Sequence, residues 1–356
     1  MRRSRRSRPM GWSVPIARIA GIRIYLHLTF LLLVALVAWV DSRPGAAGAW
    51  EGTVWVVLLF GCVLVHELAH SILARRLGAT VRSIVLLPIG GVSLIEDMPQ
   101  KWSEEFWVAA VGPLASLALG VAAMAASVAV GATLWPVNLA GGGLLPRLAW
   151  ANLLLGAFNL LPAFPLDGGR VLRAALERRH DLGTATRMAA TLGRSLAVAM
   201  MVFGLFWNLW LILIGAFVFV GATQEEQATT ARIRLMGHPV SQFMRSPVAA
   251  LDAGLAVDDL RHCWAGPQVV TVAERYYGLA LGSEVAAAPS GTLVADLTDR
   301  DAPVLSVEED VGRTALERLI TSGYPALAVV HEGRPVGVLA LADIAAWLSR
   351  GPAPLP

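Results

Sequence analysis

The chain has 356 residues, of which 56% are hydrophobic and only 15% are charged, and its formal net charge is +3. This length suits two or three domains, and a mean hydropathy of +0.60 is well above that of soluble proteins, so the composition favours a multi-pass membrane protein. The two cysteines, Cys62 and Cys263, are far apart in the sequence, which argues against a disulfide framework.

A basic segment, residues 1–23, precedes the first apolar run and carries arginines close to the N-terminus. Such a run can be a nucleic-acid-binding arm, but before an apolar segment it is better interpreted as a cytoplasmic topology signal, so no nucleic-acid partner is expected. The first predicted span, from about Ile24 to Val40, lacks a small-residue cleavage site and is therefore expected to be a retained helix.

The second predicted span, from about Trp50 to Leu77, contains the sequence His66-Glu67-Leu68-Ala69-His70. Histidines four residues apart project from one face of a helix, which suits two ligands of one tetrahedral zinc ion, and the glutamate can act as a general base toward water. Such a pattern also arises by chance, but ionisable groups in an apolar span are costly and usually functional. Arg75 and Arg76 near its end predict that the histidines lie in the cytoplasmic half of the membrane.

An apolar segment from Val81 to Ile95 follows, interrupted by Pro88 and by two glycines. It is too short and too interrupted to span a bilayer, so it predicts short strands or a re-entrant hairpin. Two interpretations of its role remain open. An exposed strand edge can pair with an extended substrate segment, or the hairpin can be a simple membrane-edge structure.

A third span is predicted from about Phe106 to Gly131, and a fourth runs from near Leu148 into the stretch 159–170. This stretch combines two prolines, an aspartate and two glycines, and irregular backbone at membrane depth is costly unless it serves a site. Asp167 can supply a third metal ligand, leaving the fourth position for water or substrate. Asn159 can contact substrate or make an interhelical hydrogen bond, and the sequence does not decide between these roles.

Two further spans are predicted, at about 191–205 and 206–222, with a turn near Trp207 and Asn208. Residues 24–222 would then form a helical domain of about six transmembrane helices, with both chain termini in the cytoplasm. Residues 223–237 are polar and are expected to be a linker.

Residues 238–350 are expected to form a soluble α/β domain, which contains a weak duplication at about 58 residues. Residues 266–280 and 324–339 each predict a strand, a tight turn and a second strand. Each pair is preceded by a predicted amphipathic helix, Leu255–Cys263 in the first repeat and Val311–Ser322 in the second.

The motif at His66–His70 and the stretch from Asn159 to Gly169 together resemble the site-2 protease family of intramembrane zinc metalloproteases. The segments 88–91 (PIGG) and 112–116 (GPLAS) are similar to that family's pattern, and the resemblance covers about residues 15–222. It implies that one Zn²⁺ ion is held by His66, His70 and Asp167. It also implies that Glu67 is the catalytic base and that Asn159 contacts the substrate or transition state.

The C-terminal duplication resembles a pair of cystathionine-β-synthase-type (CBS) domains, which often bind adenosine nucleotides. In such pairs a Ser or Thr three residues before an Asp contacts the ribose. Here Asp343 is present but Ala340 replaces the hydroxyl residue, and Leu281 and Glu284 take these places in the first repeat. This departure puts nucleotide binding in doubt, and a packing or homodimerisation module is the alternative.

The sequence therefore predicts a membrane-embedded zinc endopeptidase that cuts transmembrane proteins, such as a membrane-anchored anti-sigma factor or pro-factor. The CBS pair, on the same side of the membrane as the site, is expected to gate access. A CBS-regulated transporter is a second hypothesis, but the predicted spans show few further charges and no inverted repeat. A catalytically silent membrane scaffold is a third, and it predicts that no zinc is bound.

Overall fold

A computed structural model describes residues 12–41, 50–88, 90–96, 101–135, 137, 139, 143–260, 267–281, 284 and 287–349. The described residues form two compact units, and the chain passes from one to the other between Thr229 and Thr230. The N-terminal unit is mainly helical and contains one small sheet, whereas the C-terminal unit is α/β.

The sheet of the N-terminal unit has four strands in the order β1-β2-β3-β4. These strands are β1 Ser13–Ile19, β2 Ile22–His27, β3 Thr80–Leu87 and β4 Gly90–Glu96. The pairs β1–β2 and β3–β4 are antiparallel, while β2 and β3 are parallel and are connected through the first two helices. The hairpin predicted for residues 81–95 is confirmed by β3 and β4.

The strands β1 and β2 were not predicted, and they correct the start of the first span. Residues from Ile24 to His27 belong to β2, and helix α1 covers Leu28–Asp41. Ile22 and Ile24 are fully buried in a core with Leu68 of the second helix and Ile84 of β3. The β-branched side chains of this segment therefore pack as a strand on the neighbouring sheet rather than as the first turn of a span.

Helices occur at all six positions predicted as spans. The helices of the N-terminal unit are α1 Leu28–Asp41, α2 Glu51–Arg76, α3 Trp102–Ala129, α4 Leu144–Asn159, α5 Asp167–Leu176, α6 Leu182–Trp207 and α7 Leu209–Leu235. Among the residues described, four helices (α2, α3, α6 and α7) are long and apolar enough to cross a membrane. Helices α1 and α4, with 14 and 16 residues, are shorter than the roughly 20 residues that a span requires.

The turn between the last two helices lies where it was predicted. Helix α6 ends at Trp207, and the side-chain oxygen of Asn208 accepts a hydrogen bond of 2.9 Å from the Trp210 backbone N–H. Helix α7 then extends to Leu235, so most of the segment 223–237, expected to be a polar linker, is helical.

Part of this polar stretch of α7 is held by ion pairs within the N-terminal unit. Glu225 accepts a hydrogen bond of 2.8 Å from Arg173 of α5, and Glu226 pairs with Arg194 of α6. Arg173 is buried and also pairs with Glu105 of α3. One arginine therefore connects three helices.

The C-terminal unit consists of two similar halves, as the duplication predicted. Each half has a three-stranded sheet in which a short strand runs parallel to one strand of a hairpin. The strands are β5 Ala250–Asp252, β6 Gln268–Val272, β7 Arg275–Ala280, β8 Val304–Ser306, β9 Ala326–His331 and β10 Arg334–Ala340. The helices are α8 Val294–Leu297, α9 Leu316–Ser322 and α10 Leu341–Ser349.

The helices predicted before the two hairpins are only partly regular. In the second half, a π-helical turn at Val311–Ala315 leads into α9, so the predicted segment Val311–Ser322 is helical throughout. In the first half, a 3₁₀ turn covers Val257–Leu260, and residues 261–263 lie outside the described residues.

Candidate metal centre

Three of the predicted site residues meet at one point in the N-terminal unit. The Nε2 atoms of His66 and His70, both on α2, are 3.1 Å apart. Asp167 is the first residue of α5, and its Oδ2 atom lies 3.1 Å from Nε2 of His66 and 3.2 Å from Nε2 of His70. Both histidines are buried. Within the described part of the chain, these three residues are the group that could hold a metal ion.

The geometry of these three residues fits a zinc ion. Tetrahedral zinc with bonds of about 2.0–2.1 Å separates its ligand atoms by about 3.3–3.4 Å, close to the distances found here. The Nδ1 atom of His70 lies 2.6 Å from the Val108 carbonyl oxygen, and Nδ1 of His66 lies 2.9 Å from the Ser116 hydroxyl. When Nδ1 donates to these oxygens, Nε2 carries a free lone pair directed at the other ligand atoms.

Two glycines allow Asp167 to reach the histidines. The segment from Leu160 to Leu166 is irregular, and α5 begins directly at Asp167. A Cβ atom on Gly168 would lie 2.2 Å from the Leu161 carbonyl oxygen, and one on Gly169 would lie 2.6 Å from the Phe164 nitrogen. Because only glycine fits at these positions, the first turn of α5 can pack directly on the irregular segment.

A third glycine makes room for the second histidine. A Cβ atom on Gly112 of α3 would lie 2.1 Å from Nε2 of His70, which is the candidate ligand atom itself. This glycine lets α3 pack closely on α2, and the side chain that it contacts there is a site residue. The segment 112–116 therefore contributes both this space and the Ser116 hydroxyl that contacts His66.

The candidate base, Glu67, faces strand β4. Its Oε2 atom accepts a hydrogen bond of 2.6 Å from the hydroxyl of Ser93, which in turn accepts one of 3.2 Å from the hydroxyl of Ser71. A Cβ atom on Gly91 would lie 2.4 Å from Cγ of Glu67. Sequence reasoning missed Ser71 and Ser93. Their polar side chains inside apolar segments were the one signal that could have identified them.

Among the described residues, the side-chain hydrogen bond of Asn159 does not reach another site residue. Its Nδ2 donates a hydrogen bond of 3.0 Å to the Leu155 carbonyl oxygen, one turn earlier on the same helix. This intrahelical bond differs from the interhelical bond considered from the sequence. A contact between Asn159 and substrate therefore stays a prediction.

In the C-terminal unit, the side chain of Asp343 accepts hydrogen bonds from within the protein. Its Oδ2 atom accepts hydrogen bonds from the Ala340 backbone N–H at 2.9 Å and from Nε of Arg245 at 3.1 Å.

Comparison with known proteins identifies the family. The profile of Peptidase family M50 matches residues 54–142 and 138–203. A zinc metalloprotease of Methanocaldococcus jannaschii is 34% identical over 267 residues, which cover 73% of this chain and 76% of that protein. The chain belongs to peptidase family M50. The Rip3 protein of Mycobacterium tuberculosis is 31% identical to this M50 protease over 367 residues, covering 94% of this chain and 92% of that protein.

A solved site-2 protease structure from Methanocaldococcus jannaschii is 38% identical and superposes with a TM-score of 0.45, covering 60% of this chain and 95% of that one. Membership of the family makes this chain a membrane zinc metalloprotease of the site-2 type. The hypotheses of a transporter and of a silent scaffold are therefore set aside.

Proposed function

We propose that this M50 protease is an intramembrane endopeptidase that hydrolyses peptide bonds in or near the transmembrane segments of membrane-anchored proteins. One observation carries the proposal. His66, His70 and Asp167 place their ligand atoms 3.1–3.2 Å apart, and the histidines and Glu67 lie on α2, which is long and apolar enough to cross a bilayer.

Each site residue has a distinct task in this proposal. His66, His70 and Asp167 would hold the zinc ion. When bound, zinc acts as a Lewis acid toward the scissile carbonyl and lowers the pKa of water. Glu67 takes a proton from the attacking water and delivers it to the leaving amide nitrogen. Ser93 binds one carboxylate oxygen of Glu67, so the other oxygen is left to carry the proton.

The substrate segment would bind as an added strand on β4. This strand is at the edge of the sheet, so one side of its backbone has no partner among the described strands. Gly91 and Ser93 of β4 lie against Glu67, and an extended peptide paired with β4 would therefore pass close to the base. A helical transmembrane segment must unwind to pair in this way, which favours substrates that contain helix-breaking residues.

We further propose the membrane arrangement and the partners expected from the sequence. The chain would be a multi-pass protein with cytoplasmic termini and with its site in the cytoplasmic half of the bilayer, because arginines follow α2 and α5. The substrate class would be single-span precursors such as a membrane-anchored anti-sigma factor or pro-factor. The CBS-type unit would regulate access and could pair as a homodimer.

Replacing Glu67 with Gln tests the proposed base. The variant should fold, retain about one zinc ion per chain and cleave roughly 10²- to 10⁴-fold more slowly, which is the usual contribution of a general base. Membrane proteomics of cells that carry wild type or Glu67→Gln should show single-span precursors that accumulate only with the variant. Glu104→Gln removes a half-buried carboxylate of the same unit, whose partner is the exposed Lys101, and serves as the control. Unchanged cleavage by Glu67→Gln would contradict the proposal.

Deletion of residues 238–350 tests the regulatory role. The truncated protease should change in cleavage rate or in its choice among precursors. If neither quantity changes, the C-terminal unit does not control access.

A further inference from the structure

Two arginines from different elements meet at one tight turn of the N-terminal unit. Ala20 and Gly21 join β1 to β2 with positive φ angles of 47° and 79°. The Gly21 carbonyl oxygen accepts a hydrogen bond of 3.3 Å from Nε of Arg18, and the Ala20 carbonyl oxygen accepts one from Nη1 of Arg75 at the end of α2. A Cβ atom on Gly21 would lie 3.2 Å from that same Nη1 atom. The guanidinium of Arg75 therefore rests directly on the turn.

Two more arginines lie beside this pair. Arg23 of β2 is directly opposite Arg18 in the strand register. Arg76 follows Arg75 and lines, together with Arg75, Ile72 and Ala20, a cavity of about 210 Å³. We name the four arginines (Arg18, Arg23, Arg75 and Arg76) and this cavity the basic turn.

The positive charge of the basic turn is not neutralised within the described part of the chain. None of its four arginines forms an ion pair with a carboxylate there. The C-terminus of α2 supplies only about half a negative charge. Like charges that face each other across two strands are destabilising, and each guanidinium has five N–H donors, of which the turn uses one or none. An anion bound here would relieve the repulsion and satisfy these donors.

The surroundings of the basic turn favour an amphiphilic anion. Arg75 and Arg76 are the last two residues of α2, a helix that can cross a membrane. The end of such a helix lies at the depth of the lipid headgroups. The edge strand β1, which leads into the turn, exposes Val14 and Ile16 at 50% and 49%, and Trp12 just before it is 70% exposed. Aromatic side chains of this kind are enriched at membrane interfaces. An apolar strand therefore leads to a cluster of cations.

We propose that the basic turn binds the phosphodiester headgroup of an anionic phospholipid. Arg18, Arg75 and Arg76 donate hydrogen bonds to the phosphate oxygens, the cavity accepts the headgroup, and the acyl chains lie along Val14 and Ile16. The site is separate from the candidate metal centre and does not depend on protease activity.

The test uses the full-length protein, solubilised in a neutral detergent and titrated with phosphatidylglycerol or with phosphatidylcholine of the same acyl chains. Native mass spectrometry measures the lipid bound per chain. Wild type should bind one phosphatidylglycerol in preference to phosphatidylcholine. Arg75→Gln/Arg76→Gln should lower the affinity roughly 25-fold, because each arginine near an anionic headgroup contributes about fivefold. Arg75→Lys/Arg76→Lys keeps the charge and should retain most of the binding.

A matched variant distinguishes binding at the basic turn from a general effect of the protein's positive charge. Arg178→Gln/Arg179→Gln removes the same charge from two exposed arginines after α5 and should bind phosphatidylglycerol as wild type does. If this control loses as much affinity as the test variant, or if the two lipids bind equally, the proposal is wrong. Inorganic phosphate in the same titration should compete only weakly, and binding of phosphate without binding of lipid would also overturn the proposal.

A single variant at Arg18 provides the test if the double variant does not fold, because Arg18 is exposed. Arg18→Gln leaves the contact between Arg75 and the turn intact, and it should lower phosphatidylglycerol affinity about fivefold. Binding by this variant equal to that of wild type would overturn the proposal.

Discussion

The hydroxyl of Ser93 donates a hydrogen bond of 2.6 Å to Oε2 of Glu67 and thereby joins strand β4 to helix α2. The bond connects the edge of the sheet, where a substrate strand would add, with the candidate base. Ser71, one turn after Glu67 on α2, donates in turn to Ser93 at 3.2 Å. The orientation of the base is therefore coupled to the position of β4.

Removing this bond should slow catalysis without removing zinc. We expect Ser93→Ala to lower kcat about tenfold or more, because a hydrogen bond to a charged group is worth about 1.5–3 kcal/mol. Ser93→Thr keeps the hydroxyl and should recover most of the rate. Steady-state cleavage of a reconstituted substrate and zinc analysis provide the measurements. An alanine variant that has full activity, or that loses its zinc, would show that Ser93 does not orient the base.

Adding a methyl group at Gly91 should displace the base. Its Cβ atom would lie 2.4 Å from Cγ of Glu67, so Gly91→Ala should lower the cleavage rate by about 10²-fold while zinc stays bound. Gly61→Ala, on the same helix as Glu67, has no atom within 4 Å of the added Cβ and is the matched control. Equal rates for the two variants would mean that Glu67 does not need its observed position.

Ser116 should matter for metal affinity rather than for proton transfer. Its hydroxyl is 2.9 Å from Nδ1 of His66, and loss of such an outer contact typically costs 10- to 100-fold in metal affinity. We therefore expect Ser116→Ala to release zinc at a lower concentration of competing chelator. Ser127→Ala, on the same helix, removes a hydroxyl bonded only to the Ala123 carbonyl oxygen and should behave as wild type. Equal retention of zinc by Ser116→Ala and Ser127→Ala would contradict this role of Ser116.

Arg173 should be a major contributor to the stability of the N-terminal unit. It pairs with Glu105 and Glu225, and its charge is largely buried. Arg173→Met would leave Glu225 without this partner and Glu105 with Arg170 alone, and breaking this buried network should lower the free energy of unfolding by about 3–5 kcal/mol. Adding Glu105→Gln and Glu225→Gln should recover part of this loss. Denaturant unfolding in detergent measures both effects, and Arg179→Met at an exposed position is the control.

The C-terminal unit should lose stability in alkali. Burial and the nearby Asp299 raise the pKa of Tyr276 to about 12, and its hydroxyl has no hydrogen-bond partner among the described residues. Since an unfolded tyrosine has a pKa near 10, the stabilisation is complete below about pH 10 and is lost as the pH rises toward 12. Tyr276→Phe should match wild type near neutral pH and lose less stability between pH 10 and 12. An identical alkaline loss in both proteins would contradict this assignment.

Local patterns in the sequence were enough to predict several structural elements of this protein and part of its candidate metal centre. The spacing of His66 and His70 predicts one helical face, and breaks of proline and glycine predict the hairpin of β3 and β4 and the irregular segment before Asp167. The duplication predicts two similar halves in the C-terminal unit. These features depend on residues that are close together in the chain. They can therefore be predicted from helix and strand periodicity and from turn residues.

Only the tertiary structure decided how the site is supported and how the first strands pair. Ser93 is 26 residues from Glu67, and Ser116 is 50 residues from His66. Strand β2 lies beside β3 although two helices separate them in the chain. Each contact depends on which helix and strand faces meet after folding. Because packing selects those faces over long separations, no local pattern predicts that Ser93 contacts Glu67, that Ser116 contacts His66 or that Arg75 contacts the turn at Ala20.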